Sequence, residues 1–131
     1  YVAYRYTGAG PIYSWARGVR HAKIGIVAFA EQYPLFGLNL DNQVSYVGTA
    51  DAHGSIDPAS TCAQWRQDLL LGRYDFVVVG NNDWTSAPIP QLAWTETDPG
   101  AKAMVVTSRK DRGPQGDVFH LGAGAGTTAG C

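Results

Sequence analysis

The chain has 131 residues, a length that suits one domain with a buried core and is too short for two domains of typical size. It is 45% hydrophobic and 16% charged, with four Trp and seven Tyr, a composition that excludes intrinsic disorder. The formal net charge is −1 without blocks of like charge, so the sequence has no electrostatic footprint for nucleic acid.

A helix over residues 11–20 and a buried strand over residues 24–30 are the first predicted elements. Pro11 suits the first helical turn, where its missing N–H leaves no hydrogen bond unmade. Residues 24–30 are apolar without alternation and include β-branched side chains, which is typical of a strand buried on both faces. The helical spacing i, i+3, i+4, i+7 is occupied by Ile12, Trp15, Ala16 and Val19.

A second strand is predicted over residues 44–47, after a loop-like segment and before a polar surface connection over residues 48–60. Thr61 and Gln64 have the spacing of a capping box, in which a hydroxyl and an amide each satisfy a free backbone N–H. The helix that follows is expected to end at Gly72 in the left-handed conformation. Its predicted core-facing residues are Cys62, Trp65, Leu69 and Leu70.

Residues 74–79 have the strongest strand pattern in the chain, and a short helix is predicted within residues 89–94. Strands over 103–107 and 117–121 are expected to pair across a polar link as a C-terminal antiparallel hairpin. This alternation of helix and strand predicts an α/β fold, a Rossmann-like three-layer sandwich with a mostly parallel central sheet. Residues 1–121 are the predicted domain, and residues 122–131 a flexible Gly-rich tail.

Cys62 and Cys131 form the one possible disulfide. Such a bridge would close a loop of about 70 residues and stabilise the fold by about 4 kcal/mol through chain entropy. The alternative is a buried thiol at Cys62 and an unrelated thiol in the tail. The residues leave both possibilities open.

No cofactor and no metal is expected from the motifs. The glycines at 8–10 and 122–126 lack the strand, helix and spacing of a dinucleotide-binding fingerprint, and no Walker loop or nucleophile elbow occurs. The three histidines have no metal-binding spacing, and two cysteines 69 positions apart are not a zinc knuckle.

Asp41, Asn42, Asp83 and Trp84 are the predicted ligand-binding residues. Both pairs lie in loops that border strands, where open α/β sheets commonly bind ligands. Asp83 beside Trp84 offers a hydrogen-bond acceptor next to an aromatic face, as in a sugar platform. The structural alternative for each pair is a turn, with the Trp folded back on the core.

Asp51 and His53 place a carboxylate near an imidazole, which would allow acid/base chemistry if a nucleophile lay opposite. The alternative is a solvent-exposed turn. No catalytic residue is predicted from this pair alone.

Three stretches taken together resemble a known family: YPLFG at 33–37 continued by LDNQVSYVG at 40–48, TCAQWR at 61–66 and GRYDFVV at 72–78. They look like the soluble C-terminal domain of bacterial multi-pass membrane proteins related to glycosyltransferases that use polyprenyl-phosphate sugars. The resemblance covers roughly residues 10–121. It implies an upstream membrane part that holds the catalytic carboxylate, and an extracytoplasmic position for this domain.

The chain has no initiating Met and no signal-peptide pattern, as expected for a piece of a longer protein. Its longest apolar run, 24–30, is far shorter than the roughly 20 residues that span a bilayer, so we expect no membrane insertion by this piece. The expected partners are the membrane-embedded part of the same polypeptide and a glycan acceptor.

Three functions follow as hypotheses. The first is a noncatalytic accessory domain that binds a glycan or a partner over a membrane glycosyltransferase site. The second is a small α/β enzyme with Asp41, Asp51, His53 or Asp83 in one cleft. The third is an interaction module of the cell envelope, which predicts an exposed apolar patch.

Overall fold

A computed structural model describes residues 10–29, 33–37, 40–50, 52–80, 89–107, 115–128 and 131. Its helices are α1 (Pro11–Arg17), α2 (Cys62–Gly72) and α3 (Pro90–Glu96), and a 3₁₀ turn covers Tyr33–Phe36. Its strands are β1 (Lys23–Val27), β2 (Gln43–Tyr46), β3 (Thr49–Ala50), β4 (Ile56–Asp57), β5 (Phe76–Gly80), β6 (Ala101–Val106) and β7 (Gly116–Leu121). Among these helices, none is long and apolar enough to cross a bilayer.

The fold is mixed α/β around a five-stranded mixed sheet in the order β2-β1-β5-β7-β6. Strands β2, β1 and β5 are parallel, whereas β7 runs antiparallel to both β5 and β6. Strands β1 and β5 lie inside the sheet because their side chains are apolar on both faces and are covered on both. A separate pair, β3 and β4, forms within the predicted surface connection; two residues per strand are too few for a sequence pattern.

Two apolar clusters form the core, and alternate residues of the central strands supply them. The first joins α1 to the sheet through Ile12, Tyr13, Ala16, Ile24, Ile26, Val78 and Val118. The second joins α2 to the sheet through Trp65, Leu69, Val77, Val79 and Phe119, with Leu92 and Trp94 of α3 packed against it. Inside this second cluster the Trp65 indole N–H donates to Thr95 Oγ1 at 2.9 Å, which satisfies a buried polar group.

Thr61 caps α2 as predicted, because its hydroxyl accepts a hydrogen bond from the Gln64 N–H at 3.2 Å. The reciprocal half of the predicted capping box is wrong. The Gln64 side-chain amide donates instead to Asp68 Oδ1 at 2.8 Å, one turn further along the helix.

The carboxyl end of α2 also differs from the prediction. Gly72 is the last helical residue, and Arg73 takes the left-handed conformation, with φ of 52°. Glycine is needed at position 72 for space, because a Cβ there would lie 2.2 Å from the Tyr74 ring. Packing against the Tyr74 ring, not a positive φ, therefore accounts for this glycine.

Arg66 is buried on the face of α2 that the sequence predicted to bury Leu70. The side chains of Arg66 and Asp98 both have 0% exposure, and Nε lies 3.7 Å from Oδ2, whereas Leu70 is 56% exposed. Buried charge persists only where it is paired and hydrogen-bonded. The guanidinium donates to Trp94 O at 2.9 Å, Thr97 Oγ1 at 3.0 Å and Thr127 O at 2.9 Å.

The Gly-rich tail predicted as flexible packs against α2 in the structure. Cys131 forms a disulfide with Cys62, with their Cα atoms 5.6 Å apart. Gly126 has φ of +83° and donates its N–H to Asp98 Oδ2 at 2.7 Å. A Cβ on Gly126 would lie 2.8 Å from Arg66 O, so this close backbone approach requires glycine.

Candidate functional site

Asn42, a predicted ligand-binding residue, uses its side chain to hold three backbone segments together. It is 3% exposed, and its Oδ1 accepts from Ala22 N at 2.9 Å. Its Nδ2 donates to Val19 O at 2.9 Å and to Leu35 O at 3.1 Å. These contacts satisfy both ends of the amide, so the geometry favours the structural alternative for Asn42.

Asp41 lies beside Asn42, just before β2 and therefore at the amino edge of the parallel strands. Its Oδ2 lies 3.3 Å from Arg20 Nε and 3.5 Å from His21 Nε2, on the segment that enters β1. Its Oδ1 is buried without a hydrogen-bond partner among the described residues. Open α/β sheets bind ligands at the opposite, carboxyl edge, so Asp41 lies away from the expected location.

The other sequence candidates divide in two. Asp51, Asp83 and Trp84 lie outside the described residues. His53 is exposed in the turn between β3 and β4.

The carboxyl ends of β1, β2, β5 and β6 and the amino end of β7 meet at one edge of the sheet, where two cavities lie. The first, called here the apolar cavity, is about 270 Å³ and lies at the ends of β1 and β2. Its lining residues include Val27, Phe29, Tyr46, Val47, Ile56 and Pro58. Ala28, also in the lining, has φ of 52°, a left-handed conformation that costs a non-glycine residue roughly 1–2 kcal/mol.

The second cavity is about 230 Å³ and lies between the sheet edge and the start of α3; it is called here the Asp117 cavity. Its apolar wall consists of Val79, Ile89, Leu92 and Val106. Its polar lining consists of Thr107, Gln115 and Asp117, with the backbone of Gly80 and Gly116. Neither cavity is lined by Asp41 or His53.

Thr107 organises the polar side of the Asp117 cavity. Its hydroxyl donates to Gly116 O at 2.8 Å and accepts from Gly116 N at 2.7 Å, so it bridges the end of β6 to the start of β7. The Thr107 backbone also hydrogen-bonds the Asp117 carboxyl. Rigid strands on both sides therefore hold this carboxyl at the cavity wall.

Burial raises the pKa of Asp117 above its ordinary value, because a carboxylate loses hydration beside apolar side chains. The hydrogen bond from the Thr107 backbone N–H opposes this rise, and the negative charge of nearby Glu96 adds to it. Among the described residues, no group of three His, Cys, Asp or Glu side chains lies close enough to hold a metal. The arrangement offers hydrogen-bond acceptors beside an apolar wall, which suits binding of a small polar ligand.

Asp117 and Thr107 are not among the site residues predicted from the sequence. One signal was present, since Asp117 begins a strand pattern that is otherwise apolar up to His120 and follows a polar link.

No protein-family model, curated protein or solved structure matches this chain.

Proposed function

We propose that this chain is a noncatalytic, extracytoplasmic accessory domain that binds a sugar unit of a glycan acceptor beside a membrane-embedded glycosyltransferase site. The observation that carries the proposal is the Asp117 cavity. Its volume of about 230 Å³ is below the about 300–1,000 Å³ typical of drug-sized ligands, so it suits a single ring. The apolar wall would contact the C–H face of a sugar, and Asp117 and Thr107 would hydrogen-bond its hydroxyls.

The proposed architecture is the Rossmann-like three-layer sandwich, with β6 and β7 as its C-terminal hairpin. The packing of α1 in one core cluster and of α2 and α3 with the other supports these layers. In such folds ligands bind beyond the carboxyl ends of the strands, near the point where the strand order reverses. Here the strand order reverses at β1, which lies between β2 and β5, and the apolar cavity lies there. The Asp117 cavity lies at the same edge of the sheet, beside β5, β6 and β7.

The proposed setting has separate support. The resemblance of residues 33–48, 61–66 and 72–78 to domains of membrane glycosyltransferases supports a membrane part in the same polypeptide. The disulfide between Cys62 and Cys131 supports an oxidising compartment, because such bridges persist mainly outside the cytoplasm. The upstream reading frame is expected to encode many hydrophobic segments, and their absence would contradict this setting.

The test is a titration of the isotope-labelled domain with monosaccharides and short glycans, followed by nuclear magnetic resonance. Amide shifts are expected at Thr107, Gly116 and Asp117, and Asp117→Asn should weaken binding about tenfold or more. Asp41→Asn is the matched control, since it removes a carboxylate at the opposite edge of the sheet. In the full-length protein, deletion of the domain should reduce glycosyl transfer; unchanged transfer would count heavily against an accessory role.

A second function is favoured by exposed apolar side chains. Leu70 and Leu71 on α2 are 56% and 71% exposed, and Met104 and Val106 on the edge strand β6 are 49% and 68% exposed. Either pair would serve as a docking surface for the membrane-embedded part of the same polypeptide. Leu71→Ser and Met104→Ser, which lie outside the Asp117 cavity, are expected to leave sugar binding unchanged and to reduce glycosyl transfer by the full-length protein. Full transfer by both variants would argue against docking.

A further inference from the structure

We propose that the Asp117 cavity selects a ligand that carries a protonated amine on a small ring, as an amino sugar does. This inference rests on the proposed function only in taking the Asp117 cavity as the ligand site. It concerns the charge of the ligand, which the proposed function leaves open.

Asp117 is positioned to contact a ligand while its backbone stays inside the sheet. It pairs with Val79 of β5 and with Val106 of β6, and both partners also line the cavity. The Asp117 carboxyl accepts a hydrogen bond from the Thr107 backbone. An ionised carboxylate has about four acceptor positions, so one backbone bond leaves capacity for a donor on a ligand.

The charge that the described residues place on this carboxyl favours a cation. Glu96 on α3 is acidic and acts on Asp117, and β5 contributes only Val79 and Gly80 to the cavity lining. Lys102, the described cation of β6, lies opposite His120 in the strand register, at the other end of β7 from Asp117. Among the described residues, the charge that acts on Asp117 is therefore negative, like that of Asp117 itself.

The cost of burying Asp117 explains why a protonated amine would be preferred over a hydroxyl. Burial and Glu96 both raise the pKa of Asp117, because both disfavour the ionised carboxylate. An ammonium group at hydrogen-bond distance supplies both donors and the opposite charge, whereas a hydroxyl supplies a donor alone. The same cation would lower the pKa of Asp117 on binding, so affinity should fall as pH falls through that pKa.

The experiment uses two matched pairs of probes at about pH 6.5: glucosamine with glucose, and cyclohexylamine with cyclohexanol. Binding is followed by the amide shifts of Thr107, Gly116 and Asp117. Each amine is expected to bind about tenfold tighter than its neutral partner. Asp117→Asn should abolish this preference, and Asp41→Asn should retain it.

Equal affinity of the amine and its neutral partner, or a preference that survives Asp117→Asn, would overturn the inference and leave sugar binding intact. Binding of cyclohexylamine without any sugar would support the inference and refute the sugar-binding role. Binding of none of the four probes would refute both.

Discussion

Arg66→Met is expected to destabilise the fold by about 3–5 kcal/mol, because it leaves the buried Asp98 carboxylate without its cation. Both side chains have 0% exposure, so water does not compensate for the loss. The substitution also removes three hydrogen bonds, which tie α2 to the end of α3 and to the tail. The lost free energy is a large fraction of the roughly 5–15 kcal/mol that stabilises a typical domain.

Urea unfolding monitored by Trp fluorescence measures this effect, and the midpoint of thermal unfolding should fall by roughly 10–20 °C. Arg73→Met makes the same chemical change at an exposed position just after α2 and should alter stability by less than about 0.5 kcal/mol. Adding Asp98→Asn to Arg66→Met removes the uncompensated charge, so the double variant should lose less than the sum of the single losses. A loss below about 1 kcal/mol for Arg66→Met, or additive losses, would refute this reasoning.

Three further predictions concern the tail and the cavity. Replacing Cys62 and Cys131 with serine should lower the free energy of unfolding, measured with urea, by about 4 kcal/mol, because the bridge spans 69 positions. Free thiols in the unfolded, unreduced wild type would contradict the bridge. Because burial raises the pKa of Asp117, the native state binds this proton more tightly than the unfolded chain, and ionised Asp117 opposes folding above that pKa. Asp117→Asn should therefore raise the midpoint of thermal unfolding at pH 7. This increase should shrink as pH falls through that pKa and vanish below about pH 4. An increase that does not depend on pH would contradict this reasoning. Gly126→Ala should lower the free energy of unfolding in urea by about 1–3 kcal/mol more than Gly124→Ala does. Both glycines have positive φ, but of the two only Gly126 lacks space for a Cβ. Equal losses would argue against the tail packing.

Local patterns in the sequence predicted most of the elements. The Thr61 cap, the apolar runs of β1 and β5 and the helical spacing after Pro11 each depend on neighbouring residues. The boundaries moved by a few residues, since helix ends depend on what the flanking chain contacts. The predicted α/β class was confirmed, but local patterns could not specify that β7 lies between β5 and β6.

The candidate site was less predictable. Asp41 and Asn42 border a strand, which favours them as ligand-binding residues, but the sequence does not show which edge of the sheet a loop occupies. Asp117 is the first residue of a predicted strand, a position with no local signal of a binding site. It became a candidate only when the order of strands placed it beside Val79, Leu92 and Thr107.

The sequence by itself determined the α/β class, the capped helix α2 and the buried strands, because propensity, capping and periodicity act over a few neighbouring residues. The tertiary structure decided the ion pair between Arg66 and Asp98, the packing of Gly126 and the Asp117 cavity. Each of these joins residues far apart in the chain. Their energies come from burial and from opposing partners, which exist only after the chain has folded.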